Sequence, residues 1–151
     1  MTVDGWSEEH ARAVSAWHYE PPYDFYDLAS DPDDAAELFD PAFRPWYRAV
    51  LGADGSLDGF WYFRPDGDEV EVGLGLRPDL IGRGLGGAFA GAALDYARRE
   101  WAPRRFRLAV AAWYERAIRV YERLGFEEVG RETRVFALVG EHEFVRMEAP
   151  A

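Results

Sequence analysis

The chain reads as an α+β fold built on one mixed sheet, and three features of the sequence point there. Period-two alternation and helical spacing of apolar residues both occur, in separate stretches. Their order is helix, helix, antiparallel strands, helix, strand, helix, hairpin, not the strict strand–helix alternation of an all-parallel sheet. The 151 residues are 48% hydrophobic and contain neither an internal repeat nor a Gly/Ser linker, so a single domain over residues 1–151 is expected.

Ser7 precedes Glu8-Glu9 and the apolar positions Ala11, Val14 and Trp17, which marks a capped first helix ended by Pro21-Pro22. Asp31-Pro32 starts a second, short helix through Phe39. Two strand-like runs, 46–51 and 57–64, flank Gly52-Ala53-Asp54-Gly55-Ser56, a hairpin loop. After the turn Pro65-Asp66-Gly67-Asp68 comes a strand from Glu69 to Leu76, with Val70, Val72, Leu74 and Leu76 on one side and Glu71, Gly73 and Gly75 on the other, nearly bare side. A long helix then follows a glycine-rich turn, with Leu85, Ala88/Phe89, Ala92 and Tyr96 as its apolar face and Pro103 as its stop. Residues 105–111 read as a buried strand. A helix near 114–124 ends at Gly125-Phe126, and 126–139 with 142–147 about Gly140 form a closing hairpin.

Composition removes several chemistries. Asp and Glu number 28 against 17 Arg, giving −11 at pH 7, which opposes a phosphate backbone, so nucleic acid is not an expected partner. Lys, Cys, Asn and Gln are absent, which excludes a Lys Schiff base, a Cys nucleophile and a thiolate metal site. No metal is expected: the three His have no ligand spacing and there is no HExxH. The four Ser include no GxSxG elbow. With no basic leader and no apolar run of about 18 residues, a cytoplasmic protein without membrane contact is expected. Charge is uneven: residues 1–80 carry 18 acids and 5 bases, residues 81–151 carry 10 and 12. A solvated acidic face is one reading of this. The other is an enzyme with its anionic ligand on the second half and a cationic one on the first.

The most informative segment is Gly82-Arg83-Gly84-Leu85-Gly86-Gly87, between a strand and a helix start. Glycines there allow close backbone approach, exposed N–H groups and the helix dipole attract phosphate, and Arg83 adds a cation. A plain glycine-rich turn is the alternative. A dinucleotide fold would need an acid about 20 residues further on, where Arg104-Arg105-Phe106-Arg107 stands, and a Walker loop would need a Lys.

Leu76-Arg77-Pro78-Asp79-Leu80-Ile81-Gly82-Arg83-Gly84-Leu85-Gly86, followed by Ala117-Ile118-Arg119-Val120-Tyr121-Glu122-Arg123-Leu124-Gly125-Phe126, resembles the two conserved blocks of the GNAT superfamily of acetyl-CoA-dependent N-acetyltransferases. The resemblance implies a mixed, mostly antiparallel sheet flanked by helices on both faces. It implies acetyl-CoA as cosubstrate, with its diphosphate on the amides of Gly82, Arg83, Gly84, Leu85, Gly86 and Gly87. The backbone of Leu74, Gly75 and Leu76 would pair with the pantetheine arm like an added strand, and Tyr121 would protonate the departing thiolate. By spacing alone Tyr121 is a core tyrosine. Two positions depart from the family: Ile81 stands where Gln or Arg is usual, and Tyr114 stands nearest the position of an Asn that contacts the arm.

An amine must lose a proton before it attacks a thioester, and Glu71, on the bare side of its strand, is the candidate base, with Glu69 next on that side. A solvent-facing carboxylate is the alternative. The run from Trp17 through Tyr19, Tyr23 and Tyr26 interleaves aromatics with acids; the resemblance implies an acceptor wall, favouring a cationic amine, and packing over the sheet edge is the plainer reading. The expected reaction is direct acetyl transfer to a primary amine in a ternary complex. Its rival is a catalytically silent CoA- or nucleotide-binding module. A homodimer through an exposed closing hairpin is left open.

Overall fold

The computed structural model describes residues 1–151. It holds four helices, α1 Glu8–Ser15, α2 Pro32–Phe39, α3 Gly86–Trp101 and α4 Glu115–Arg123. The strands are β1 Thr2–Gly5, β2 Tyr47–Leu51, β3 Leu57–Asp66, β4 Glu69–Leu76, β5 Arg105–Ala111, β6 Glu127–Phe136 and β7 Gly140–Pro150. They form one seven-stranded sheet in the order β1-β2-β3-β4-β5-β7-β6. The β1–β2, β2–β3 and β5–β7 pairs are antiparallel and β4–β5 is parallel, so the sheet is mixed and mostly antiparallel, as expected. No helix is long and apolar enough to cross a membrane.

The chain divides into two compact units, with β3 and β4 contributing to both. One comprises Met1–Tyr62, Leu74–Ile81 and Phe136–Gly140. Its core gathers Trp6, Ala11, Val14, Trp17, Leu38 and Tyr47, with Phe60 and Tyr62 packed against them. Both short helices are capped as their sequences require: the Ser7 hydroxyl accepts from the His10 N–H and His10 Nδ1 takes the Ser7 N–H, while Asp31 accepts from the N–H groups of Asp33 and Asp34. Trp6 Nε1 donates to the Leu38 carbonyl at 2.9 Å, tying the α2 end to the chain ahead of α1.

The other unit comprises Phe63–Gly73, Gly82–Val135 and Glu141–Ala151. Val70, Val72, Phe106, Leu108, Val110, Val145 and Met147 are buried there. The α3 helix lies over Phe63 through Tyr96 and Trp101, at ring separations of 5.6 and 5.2 Å, and Arg98 covers Phe106.

The structure adds to the sequence reading at three points. The β1 strand was not expected: four residues, Thr-Val-Asp-Gly, carry no alternation, and pairing with β2 alone places them. The buried face of α3 is Phe89, Ala90, Ala93, Leu94 and Ala97, rotated about one position from the expected one, and Leu85 precedes the helix and is 42% exposed. The closing hairpin is present as β6 and β7. Its second strand inserts between β5 and β6, register Arg105↔Pro150 to Ala111↔Phe144, so the outer edge belongs to β6 alone.

Candidate active site

The glycine-rich turn presents an open run of backbone at a helix start. Gly82 and Gly84 take φ of 80° and 73°, values L side chains rarely adopt, and the chain then enters α3 at Gly86. Leu85 caps the helix without any side-chain acceptor, so the first-turn N–H groups of a 16-residue helix receive no cap. A Cβ at Gly84 or Gly87 would meet nothing within 4 Å, and at Gly82 only Arg116 Nη1, at 3.4 Å. The surface is therefore open, and two cations, the exposed Arg83 and Arg116, border it. Arg116 escaped the sequence reading because it lies 34 residues from Gly82 and α4 packing alone brings it there. In that packing Gly86 and Gly91 face Val120 and Leu124, each at an ordinary contact distance of 3.7 Å from where a Cβ would stand.

On α4, Tyr121 is half-buried, with its ring edge-on to Phe126 at 5.8 Å. The Phe126 N–H closes the helix onto the Tyr121 carbonyl at 3.0 Å, with Gly125 at φ 98° as the sequence demanded. Tyr114 is the residue before α4; its ring stacks on Trp113 at 5.7 Å and 9°. Trp113 Nε1 donates to His142 Nδ1 at 3.4 Å.

The β4 strand spans Glu69 to Leu76 as expected, but its parallel ladder with β5 has only three pairs, Glu69↔Arg105, Val70↔Phe106 and Glu71↔Arg107. Beyond Glu71 the strand continues five residues outside that ladder. The side of β4 expected to be bare is not bare at Gly75. The Phe60 ring fills the place of its missing Cβ, stacked in turn on Trp17 at 6.4 Å. The Leu76 carbonyl accepts from the Tyr19 hydroxyl at 2.7 Å, and Leu74 is half-buried. Just past the strand, Arg77 pairs with Asp79 at 2.6 Å and Asp58 at 3.2 Å; the hydrogen bond to Asp79 above all holds its pKa above the ordinary arginine value. These bonds fasten the end of β4 to the start of β3.

Glu71 and Glu69 line a cavity of about 310 Å³ together with Arg107, Arg134, Arg146 and Glu148. Glu69 reaches Arg107 at 3.7 Å; Glu71 has no ion pair.

The aromatic run divides. Trp17 is buried at 9% exposure within the core, so its ring packs and walls no open site. Tyr19 ties down β4, with its own N–H held by Asp27 at 2.7 Å. Tyr23 and Tyr26 bound a single 3-10 turn; Tyr26 is exposed and sits edge-on to Phe25, which meets Phe136 at 5.1 Å. The histidines are engaged locally: His10 in the α1 cap, His18 against Asp27 at 3.2 Å, His142 with Trp113.

A strand that runs on past its parallel ladder is followed by an uncapped, glycine-lined helix start, whose exposed N–H groups can receive an anion. The profile of the acetyltransferase (GNAT) family matches residues 6–126, and the chain belongs to that family. A mycothiol acetyltransferase of Clavibacter michiganensis subsp. michiganensis is 37% identical over 78 residues, covering 45% of this chain and 26% of its own length. One from Clavibacter sepedonicus is 38% identical over 96 residues, covering 62% and 29%. The chain thus spans under a third of the length of these relatives. Among solved structures, a chimera of the spermidine N-acetyltransferase SpeG from Vibrio cholerae and hSSAT superposes with a TM-score of 0.74 at 22% identity over 99% of this chain and 96% of its own, which shows the shared fold.

Proposed function

We propose that the chain transfers the acetyl group of acetyl-CoA to a primary amine, with both substrates bound together and the amine attacking the thioester directly. The observation that carries this reading is the open turn from Gly82 to Gly87 feeding the uncapped start of α3. The family, and the names of its acetyltransferase relatives, support the same chemistry.

In this reading the amides of Gly82, Arg83, Gly84, Leu85, Gly86 and Gly87 hold the diphosphate, with Arg83 and Arg116 adding charge-assisted hydrogen bonds. No side chain stands in for a Gln or Arg at Ile81. The backbone of Leu74, Gly75 and Leu76 pairs with the pantetheine arm along the strand edge, and a strand N–H polarises the thioester carbonyl. The support is the early end of the β4–β5 ladder. Phe60 covers the Gly75 face rather than the edge, so it leaves this pairing available. Tyr114 contacts the arm where other members use Asn. Glu71 takes one proton from the ammonium, the amine nitrogen bonds to the acetyl carbon and the carbon–sulfur bond breaks, the Tyr121 hydroxyl gives its proton to the thiolate, and the second proton shed by the new amide nitrogen restores that hydroxyl. A phenol with a pKa of about 10 suits a thiol of about 8.5 across a small gap. The proposal includes a cytoplasmic setting.

The test uses the absence of cysteine from the chain. A thiol-reactive dye then reports released CoA without background from the protein. Amine-dependent CoA release across a panel of polyamines, amino acids and aminoglycosides is the expected result. Acetyl-CoA binding with no release under any acceptor would instead support a silent module.

A further inference from the structure

The cavity beneath Glu71 has a charge pattern that reaches beyond proton removal. It lies within one compact unit, on the side of β4, β5 and β7 where Glu71 faces Arg107 across one ladder and Ala109 faces Arg146 across the next. Most charges lining it are satisfied within the protein. Arg107 pairs with Asp66 at 3.1 Å and Glu69 at 3.7 Å, and Glu148 with Arg105 at 3.4 Å. Arg134 pairs with Glu132 at 2.9 Å and lies over the Phe144 ring. Two charges of opposite sign are left over: the Glu71 carboxylate and the Arg146 guanidinium make no ion pair.

Their positions keep them apart. Glu71 and Arg146 are two strands and two residues removed in register, about 12 Å between Cα atoms on ordinary sheet spacings. Ala109, between them, offers only a methyl group, so no side chain divides the cavity floor there. The Arg146 head is also seated: it crosses β6 at Gly130, where a Cβ would come within 3.2 Å of its Cζ. A side chain at 130 would take the space the guanidinium occupies, so glycine there is what lets Arg146 reach this place on the cavity wall.

We propose that this cavity is the acceptor pocket and that it selects an extended zwitterion, with the reacting amine at Glu71 and a carboxylate or other anionic group several bonds away at Arg146. The inference rests on the acetyltransferase reading above and adds the acceptor class. A planar guanidinium favours a bidentate carboxylate, and a ligand that brings both missing counter-charges completes the pattern the protein leaves open. A diamine is disfavoured because its second ammonium would meet Arg146, the one guanidinium of this wall without an ion pair.

The experiment compares 6-aminohexanoate, n-hexylamine and 1,6-diaminohexane as acceptors of matched length, in the natural protein, Arg146→Met and the control Arg131→Met. Arg131 pairs with Glu128 and Glu143 and does not line this cavity. The expected kcat/KM is at least tenfold higher for the amino acid than for either amine. Arg146→Met should erase about tenfold of that ratio through KM, and Arg131→Met should preserve it. Binding of 6-aminohexanoate is followed in parallel by titration calorimetry, which needs no turnover. Acetylation of all three with equal efficiency, or a ratio indifferent to Arg146→Met, overturns the zwitterion assignment and leaves the acetyltransferase intact. Tight 6-aminohexanoate binding lost in Arg146→Met but without turnover of any acceptor supports the pocket and overturns the enzyme reading.

Discussion

Tyr47 is buried in the aromatic core, and its hydroxyl donates to Glu37 at 3.4 Å. Burial first, then the Glu37 and Asp34 carboxylates, push its pKa well above the ordinary 10.0. The unfolded tyrosine gives up its proton from about pH 10 while the folded one keeps it, so the folded state binds more protons there. Stability is then constant near neutrality and falls as pH rises above about 10. The chain has no Lys and no Cys to titrate in that window, so the alkaline limb belongs chiefly to its tyrosines. Urea unfolding of Tyr47→Phe should show a shallower loss between pH 10 and 11.5 than the natural protein; superimposable limbs would contradict this. At the proposed site, Tyr121→Phe should lower kcat by at least tenfold and change acetyl-CoA affinity little. Unchanged turnover reduces Tyr121 to its packing on Phe126.

At the scale of elements, Gly75 and Ala102 make opposite tests of backbone and space. Gly75→Ala drives a methyl group into the Phe60 ring and should cost about 1–3 kcal/mol, with part of the loss recovered by Phe60→Leu. Ala102, after α3, holds φ 43° where glycine is the usual residue, so Ala102→Gly should raise stability by up to about 1 kcal/mol. Both are read from denaturant midpoints. These two positions also show what the sequence does and does not disclose. Proline, glycine and aspartate punctuation delimits β4 and β5, and the Ser7 and Asp31 caps locate both early helices, because those signals act within a few residues. The face of α3 was not legible: Gly86–Leu94 is apolar nearly all round, so its periodicity does not single out the side that is buried. Phe60 over Gly75, Arg116 beside Gly82 and the seating of Arg146 on Gly130 are contacts between distant segments, and no local pattern announces them. The glycine-rich turn was legible because its glycines stand at adjoining positions, a pattern contained within a few residues.

For the molecule as a whole, the insertion of β7 between β5 and β6 was the least accessible feature, since a closing hairpin gives no sign of which neighbour its second strand takes. The register that results puts Arg107 and Arg146 on the same side as Glu71, which the net charge of −11 conceals. An acidic chain thus carries a mixed-charge cavity. The central claim is acetyl-CoA bound on the Gly82–Gly87 turn. Its most direct test is thermal unfolding with acetyl-CoA, desulfo-CoA or NAD at a hundred times the dissociation constant measured for acetyl-CoA, or at millimolar concentration where none is measurable. Acetyl-CoA and desulfo-CoA should stabilise the fold by about 2.7 kcal/mol, a midpoint rise of roughly 5–10 °C, while NAD leaves it unmoved. A midpoint indifferent to every CoA species would contradict the account.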